Sequence, residues 1–187
     1  EWKHPEASIQ VAGRLKRDGY AFKLCLIGGG VLQDKIARMI KEKDLEVVVH
    51  LLGVMKPVVW RRLMEKSQFF LLTSDQNEGW GAVLNEAMNS GCAVVASEAI
   101  GSVPFLIKDG VNGLRYENGN IEDLTNKVKF LLDHPEKCTE LGKNAYSTMT
   151  EEWNADTAAE RFIALASHIL SGEKGISLYE LGPCSRC

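Results

Sequence analysis

The stretch Glu78-Gly79-Trp80-Gly81-Ala82-Val83-Leu84-Asn85-Glu86-Ala87-Met88, followed shortly by Gly91-Cys92-Ala93-Val94-Val95-Ala96-Ser97, decides the fold. Residues 80–89 carry helical spacing and stop at Ser90-Gly91, a glycine signal for a helix carboxyl terminus. Residues 93–96 hold almost no polar side chain, the composition of a strand covered on both faces and therefore central in its sheet. A helix feeding such a strand is part of a βαβ unit, the building block of a parallel sheet.

The same alternation extends in both directions. Towards the amino end it predicts a buried strand at residues 68–72 and a helix over residues 58–66. Pro57 opens that helix, where its missing N–H is not needed. Further back come a strand at residues 47–52 closed by Gly53, and a helix at residues 32–43 with Ile36, Met39 and Ile40 on one face. A strand at residues 22–27 ends at Gly28-Gly29-Gly30, and a helix at residues 6–18 carries Ile9, Ala12 and Leu15 among its apolar positions. Towards the carboxyl end follow a helical turn at residues 103–107, a short strand at 113–116, and helices at 121–132, 136–149 and 155–170. The predicted class is α/β, a Rossmann-like parallel sheet with helices on both faces. One domain spans residues 1–170, and residues 171–187 form a weakly structured tail. A parallel sheet wants a strand ahead of its first helix, so the chain reads as a fragment whose first strand is truncated.

At 187 residues there is room for one sizeable core but not two full domains. With 45% hydrophobic and 25% charged residues the composition is that of an ordinary globular protein. A net charge of -3 with scattered lysines and arginines argues against a nucleic-acid partner, which calls for a concentrated basic face. Neither a membrane span nor a signal peptide is visible, so the chain reads as cytoplasmic, with peripheral membrane association of a full-length protein left open. Cys25, Cys92 and Cys138 fall where a free thiol acts as a small core hydrophobe. Cys184 and Cys187 form a Cys-x-x-Cys without the second ligand pair that a zinc site needs. The four histidines share no spacing and read as structural or solvated.

In open parallel sheets ligands bind beyond the carboxyl ends of the strands. Those ends are Gly28-Gly29-Gly30, Gly53, Thr73-Ser74-Asp75 leading into residues 78–81, and Ser97-Glu98 with Gly101. Gly79 and Gly81 at a helix start allow close backbone approach, and the free N–H groups of a first turn make an anion site suited to a diphosphate. Glu78 and Glu86 would lie about 12 Å apart along the axis of a continuous helix, on either side of that site. Carboxylates there can accept from the hydroxyls at both ends of a nucleotide diphosphate sugar. The residues alone leave two readings open, because Asn85, Glu86 and Asn89 also make a solvated face opposite Val83, Leu84, Ala87 and Met88.

The quoted stretch resembles the donor-site signature of group 1 retaining glycosyltransferases with the GT-B fold. Leu26-Ile27-Gly28-Gly29-Gly30 is similar to that family's first glycine turn. Leu52-Gly53-Val54 resembles its second strand end, and residues 109–114 resemble its late turn. The resemblance runs from the start to about Leu170 and implies the carboxyl-terminal, nucleotide-sugar-binding half of the fold. It implies that Glu78 binds donor-sugar hydroxyls at the catalytic position and that Glu86 binds the ribose hydroxyls. Backbone groups of Gly79, Trp80, Gly81, Ala82, Val83 and Leu84 would hold sugar and phosphate, and Gly28 and Gly30 would border the nucleobase. Lys3 is similar to the lysine that neutralises the diphosphate. Its usual companion, an arginine on the preceding strand, has no counterpart here, and Phe105 stands where the family commonly has glutamate.

The implied reaction transfers a sugar from a UDP-linked donor to an acceptor hydroxyl, of a saccharide or a lipid, with retention. No metal and no other cofactor are required. The acceptor belongs to an N-terminal domain of the same polypeptide, so this fragment is expected to bind without turning over. In full-length relatives a C-terminal helix crosses back to that domain, leaving apolar residues of 155–170 partly uncovered here. A GT-B epimerase, a non-enzymatic nucleotide-binding module and a flavodoxin-like receiver are the alternatives. The first needs acid and histidine chemistry in the cleft, and the last needs aspartates where residues 28–30 are glycine.

Overall fold

The computed structural model describes residues 2–172 and 179–185. Helices alternate with parallel strands in the order α1 (Pro5–Arg17), β1 (Leu24–Ile27), α2 (Gln33–Glu42), β2 (Val49–Gly53), α3 (Pro57–Glu65), β3 (Phe69–Leu72), α4 (Val83–Asn89) and β4 (Ala93–Ser97). Then come α5 (Val103–Leu106), β5 (Leu114–Tyr116), α6 (Ile121–Asp133), α7 (Pro135–Ser147), a wide π-turn over Thr148–Glu152, and α8 (Ala155–Ser171). Among the described residues no helix is long and apolar enough to cross a membrane.

The α/β class holds, with one departure: the strands form two sheets, β1-β2 and β3-β4-β5. All ladders are parallel, with Leu24 opposite Val49, Phe69 opposite Ala93 and Val95 opposite Leu114. β4 is buried at every position, as its composition demands, and its alternation divides two cores. Val94 and Ala96 pack with Leu84, Met88, Ile100, Val103 and Leu106 on one face. Ala93 and Val95 pack with Val11, Leu15, Leu124, Val128 and Leu141 on the other. A third cluster, Ile9, Ala12, Ile36, Ile40, Leu45 and Val49, ties α1 and α2 to the smaller sheet.

Helix α7 meets the turn before β4 backbone to backbone. A Cβ built on Gly142 would lie 2.3 Å from the Gly91 carbonyl oxygen. Gly142→Ala is therefore expected to cost about 1–3 kcal/mol by overpacking, read as a lower urea midpoint at unchanged slope. An unchanged midpoint would show that α7 can lift away freely.

Cys92 and Cys138 are buried as expected, and burial pushes the Cys92 thiol up to about 11. Cys25 corrects the sequence reading: it is exposed, on the same face of β1 as Ile27 and opposite the half-buried Leu24 and Leu26. On α8 no side chain is buried, and Phe162, Ile163, Ile169 and Leu170 are 58–86% exposed. The tail assigned to residues 171–187 falls partly outside the described residues, as does Cys187. Tyr179 bridges to Ser185, and its ring lies 4.3 Å from the Arg161 guanidinium.

Candidate functional site

Three hydrogen bonds fasten residues 2–4 to the carboxyl end of β3. The Thr73 hydroxyl donates to the Lys3 carbonyl at 2.8 Å, and the Asp75 N–H donates to the Trp2 carbonyl at 3.0 Å. The His4 ring nitrogen Nε2 sits 2.7 Å from Asp75 Oδ2. That contact, helped by the N–H of Asn77, holds the Asp75 carboxyl below the usual carboxylate range. With the backbone so placed, Lys3 Nζ forms an ion pair with Glu78, whose carboxylate also accepts from the Ser74 hydroxyl at 3.2 Å. The two residues assigned to diphosphate and sugar are thus neighbours although 75 positions apart.

Glu78 stands on a loop, not on the helix. The sequence reading starts the helix at Trp80, whereas α4 begins at Val83. Gly81 adopts a left-handed φ of +73°, which ends helical geometry there and is open to glycine at little cost. The loop is pressed from behind by Gly101, where a Cβ would lie 2.0 Å from the Gly79 carbonyl oxygen. The Leu84 N–H already donates to the Gly81 carbonyl at 2.8 Å, so it is engaged without any ligand. Trp80 stacks on Phe105 at 5.9 Å and contacts Trp153 at 5.8 Å, while its indole N–H donates to Asn85 Oδ1 at 2.9 Å. Phe105, the departure from the family pattern, thereby packs against the loop.

Beside this loop lies a cleft of about 400 Å³ lined by Lys3, Ile27, Gly28, Gly30, Leu52 and Gly53 among others. The Gly28 N–H donates to the Gly53 carbonyl at 2.8 Å, closing the floor between the two strand ends. Gly28 and Gly30 have φ of +124° and +156°, so the turn is glycine-dependent. Lys3 lines this cleft and reaches Glu78, joining the glycine turn after β1 to the loop after β3.

Glu86 takes a different place from the one sequence spacing suggests. It lines a separate surface groove with Asn85, Asn89, Met149, Trp153 and Asn154. Its carboxyl is raised by partial burial, against an opposing pull from Arg61. Because Glu78 is off the helix, the two glutamates do not share one helix axis. Sequence reasoning missed the supporting roles of Thr73, Ser74, Asp75, His4 and Gly101. Apart from Ser74, which bonds Glu78 four positions on, their partners lie far away in the chain, and no local spacing rule connects residue 4 to residue 75 or residue 101 to residue 79.

The family described as Glycosyl transferases group 1 matches residues 1–148. A poly(ribitol-phosphate) alpha-N-acetylglucosaminyltransferase of Staphylococcus aureus (strain COL) is 31% identical over 163 residues, 87% of this chain and 32% of that protein. The structure of a mutant S. aureus TarM in complex with Fondaparinux, alpha-GlcNAc-glycerol and UDP aligns with a TM-score of 0.79 at 28% identity. It covers 88% of this chain and 33% of TarM. The C-terminal domain of a group 1 glycosyl transferase (LpcC) from Francisella tularensis shares the fold at 22% identity, with a TM-score of 0.72 over 80% of this chain and 78% of its own. The chain thus spans about a third of the length of the curated relative named above.

Proposed function

Because the chain belongs to the group 1 glycosyl transferases, with the fold of their GT-B C-terminal domain, we propose that it is the donor-binding domain of a retaining glycosyltransferase. The donor is a UDP-linked sugar, and the acceptor is a hydroxyl presented by a separate N-terminal domain of the same polypeptide. The observation that carries this reading is the meeting of Lys3 and Glu78 at the mouth of the cleft formed by Gly28 and Gly53. One cation faces the place of a diphosphate, and one carboxylate faces the place of sugar hydroxyls.

In this mechanism charge grows on the diphosphate as the glycosidic bond breaks. Fixed donors stabilise it best, since they need no reorganisation at that moment. Lys3 and the N–H groups of residues 79–83 supply them, with no metal. Glu78 accepts from the sugar hydroxyls and orients the anomeric carbon, and no covalent nucleophile is assigned. Glu86 accepts from the ribose hydroxyls, which requires the nucleotide to extend along α4 from the cleft. Trp80 serves through its backbone while its ring braces the loop. With the acceptor domain separate, residues 1–187 alone bind donor without turning it over.

Calorimetric titration with UDP-N-acetylglucosamine, UDP-glucose and GDP-mannose tests the reading. Saturable heat is expected with a UDP sugar. Glu86→Ala should weaken it by roughly 10–100-fold, the range for hydrogen bonds to a charged group. Silence with every donor, or unaltered affinity in a folded Glu86→Ala protein, would overturn the assignment.

A further inference from the structure

We infer that Gln33 is the residue that reads the nucleobase, pairing its side-chain amide with the polar edge of the ring; this rests on the donor-binding reading above. The cleft of about 400 Å³ at the ends of β1 and β2 is walled by aliphatic side chains, Leu26, Ile36 and Leu52 among them, and by bare glycine backbone. Among the described residues only two polar side chains line it, Lys3 and Gln33.

Walls of that kind suit the faces of a flat ring and leave its edge unserved. A uracil edge carries both donor and acceptor atoms, and burying them without partners is costly. Lys3 does not meet that need, because an ammonium offers donors alone and this one is drawn to Glu78. A glutamine amide offers a donor and an acceptor side by side. Uracil matches it with two parallel hydrogen bonds, O4 accepting from Nε2 and N3–H donating to Oε1. Asparagine and glutamine read base edges in nucleic acids by the same pairing.

The place of Gln33 follows from α2. It is the first residue of that helix, and its N–H donates to the Gly30 carbonyl at 3.0 Å. Side chains on a helix lean towards its amino end, so this one folds back over the glycine turn. Its Oε1 lies 3.6 Å from the point a Cβ on Gly29 would occupy, and Val54 Cγ2 lies 3.4 Å from the same point. The amide thus sits where the turn after β1 meets the residue after β2. Gln33 is exposed, and its side chain makes no hydrogen bond among the described residues, so the whole amide is available to a ligand.

The test titrates UDP and CDP calorimetrically into the parent chain, Gln33→Leu and Gln33→Glu. The two nucleotides differ only on the edge in question, where cytosine carries an amino group in place of the O4 carbonyl. Gln33→Leu should weaken UDP by about tenfold, within the range for a bidentate contact to a base. Gln33→Glu presents acceptors and no donor, so it repels O4 and accepts from the cytosine amino group. The ratio of UDP to CDP affinity should therefore fall by about tenfold or more. Taking the ratio cancels any general repulsion between the new charge and the diphosphate. Because the side chain is exposed, both variants should keep the parent melting transition. An unchanged ratio in Gln33→Glu, or unchanged UDP affinity in Gln33→Leu, overturns the inference and leaves the donor-binding reading standing. Absence of heat when UDP meets the parent chain removes that reading, and the inference with it.

Discussion

Gly101→Ala is expected to abolish nucleotide-sugar binding, by more than 100-fold, in a protein that remains folded. The added methyl would sit 2.0 Å from the Gly79 carbonyl oxygen, over an ångström inside van der Waals contact. Backbone oxygen cannot swing aside as a side chain can, so the loop of residues 78–81 must move as a unit. That loop carries Glu78 and the N–H groups assigned to the phosphates. Displacements of about an ångström at such a site are costly out of proportion to the packing change. Gly101 itself is exposed, although Ile100, Ser102 and Val103 beside it are buried, so the loop can yield outward: the circular dichroism spectrum should be preserved while the melting transition falls modestly. Donor affinity within threefold of the parent would show that the loop tolerates the shift, and the proposed geometry would fail with it.

Glu78→Gln should move two affinities in opposite directions. In the free protein Lys3 is held by Glu78, so any diphosphate must first draw the ammonium away from that carboxylate. Removing the negative charge frees Lys3, and UDP without a sugar should bind several-fold more tightly. The complete UDP sugar loses its charged acceptor at the hydroxyls and should bind roughly tenfold or more weakly. Glu86→Ala should instead weaken UDP and UDP sugar alike, because both carry the ribose. Parallel titrations of the two ligands therefore separate the roles. Equal weakening of both by Glu78→Gln would show that Glu78 does not contact the sugar.

Much of this architecture is written locally, and some of it is not. Pro57 opens α3, the apolar run of β4 fixes the central strand, and Asn120 caps α6 through its bond to the Asp123 N–H. Each of these depends on neighbours within a few positions. Sequence places the start of α4 three residues early because Trp80 and Ala82 suit a helix. Only the left-handed Gly81, held by Ile100 and Glu78 around it, settles the matter. Split sheets are invisible for a different reason: composition reports that β1 and β3 want cover, but not whether cover is present. Lys3 and Glu78 can be named from a motif, whereas the ties of His4 and Thr73 that bring them together depend on the folded chain. The spacing argument for Glu86 assumes one unbroken helix, which the loop at residues 78–82 removes.

Helix α8 sets how this protein will behave in the tube. Seventeen residues long and with no side chain fully buried, it offers a row of oily side chains to whatever drifts past, so self-association should grow as concentration rises. Charged replacements at Phe162 and Ile169 should relieve that tendency at little thermodynamic cost, since both side chains are more than half exposed.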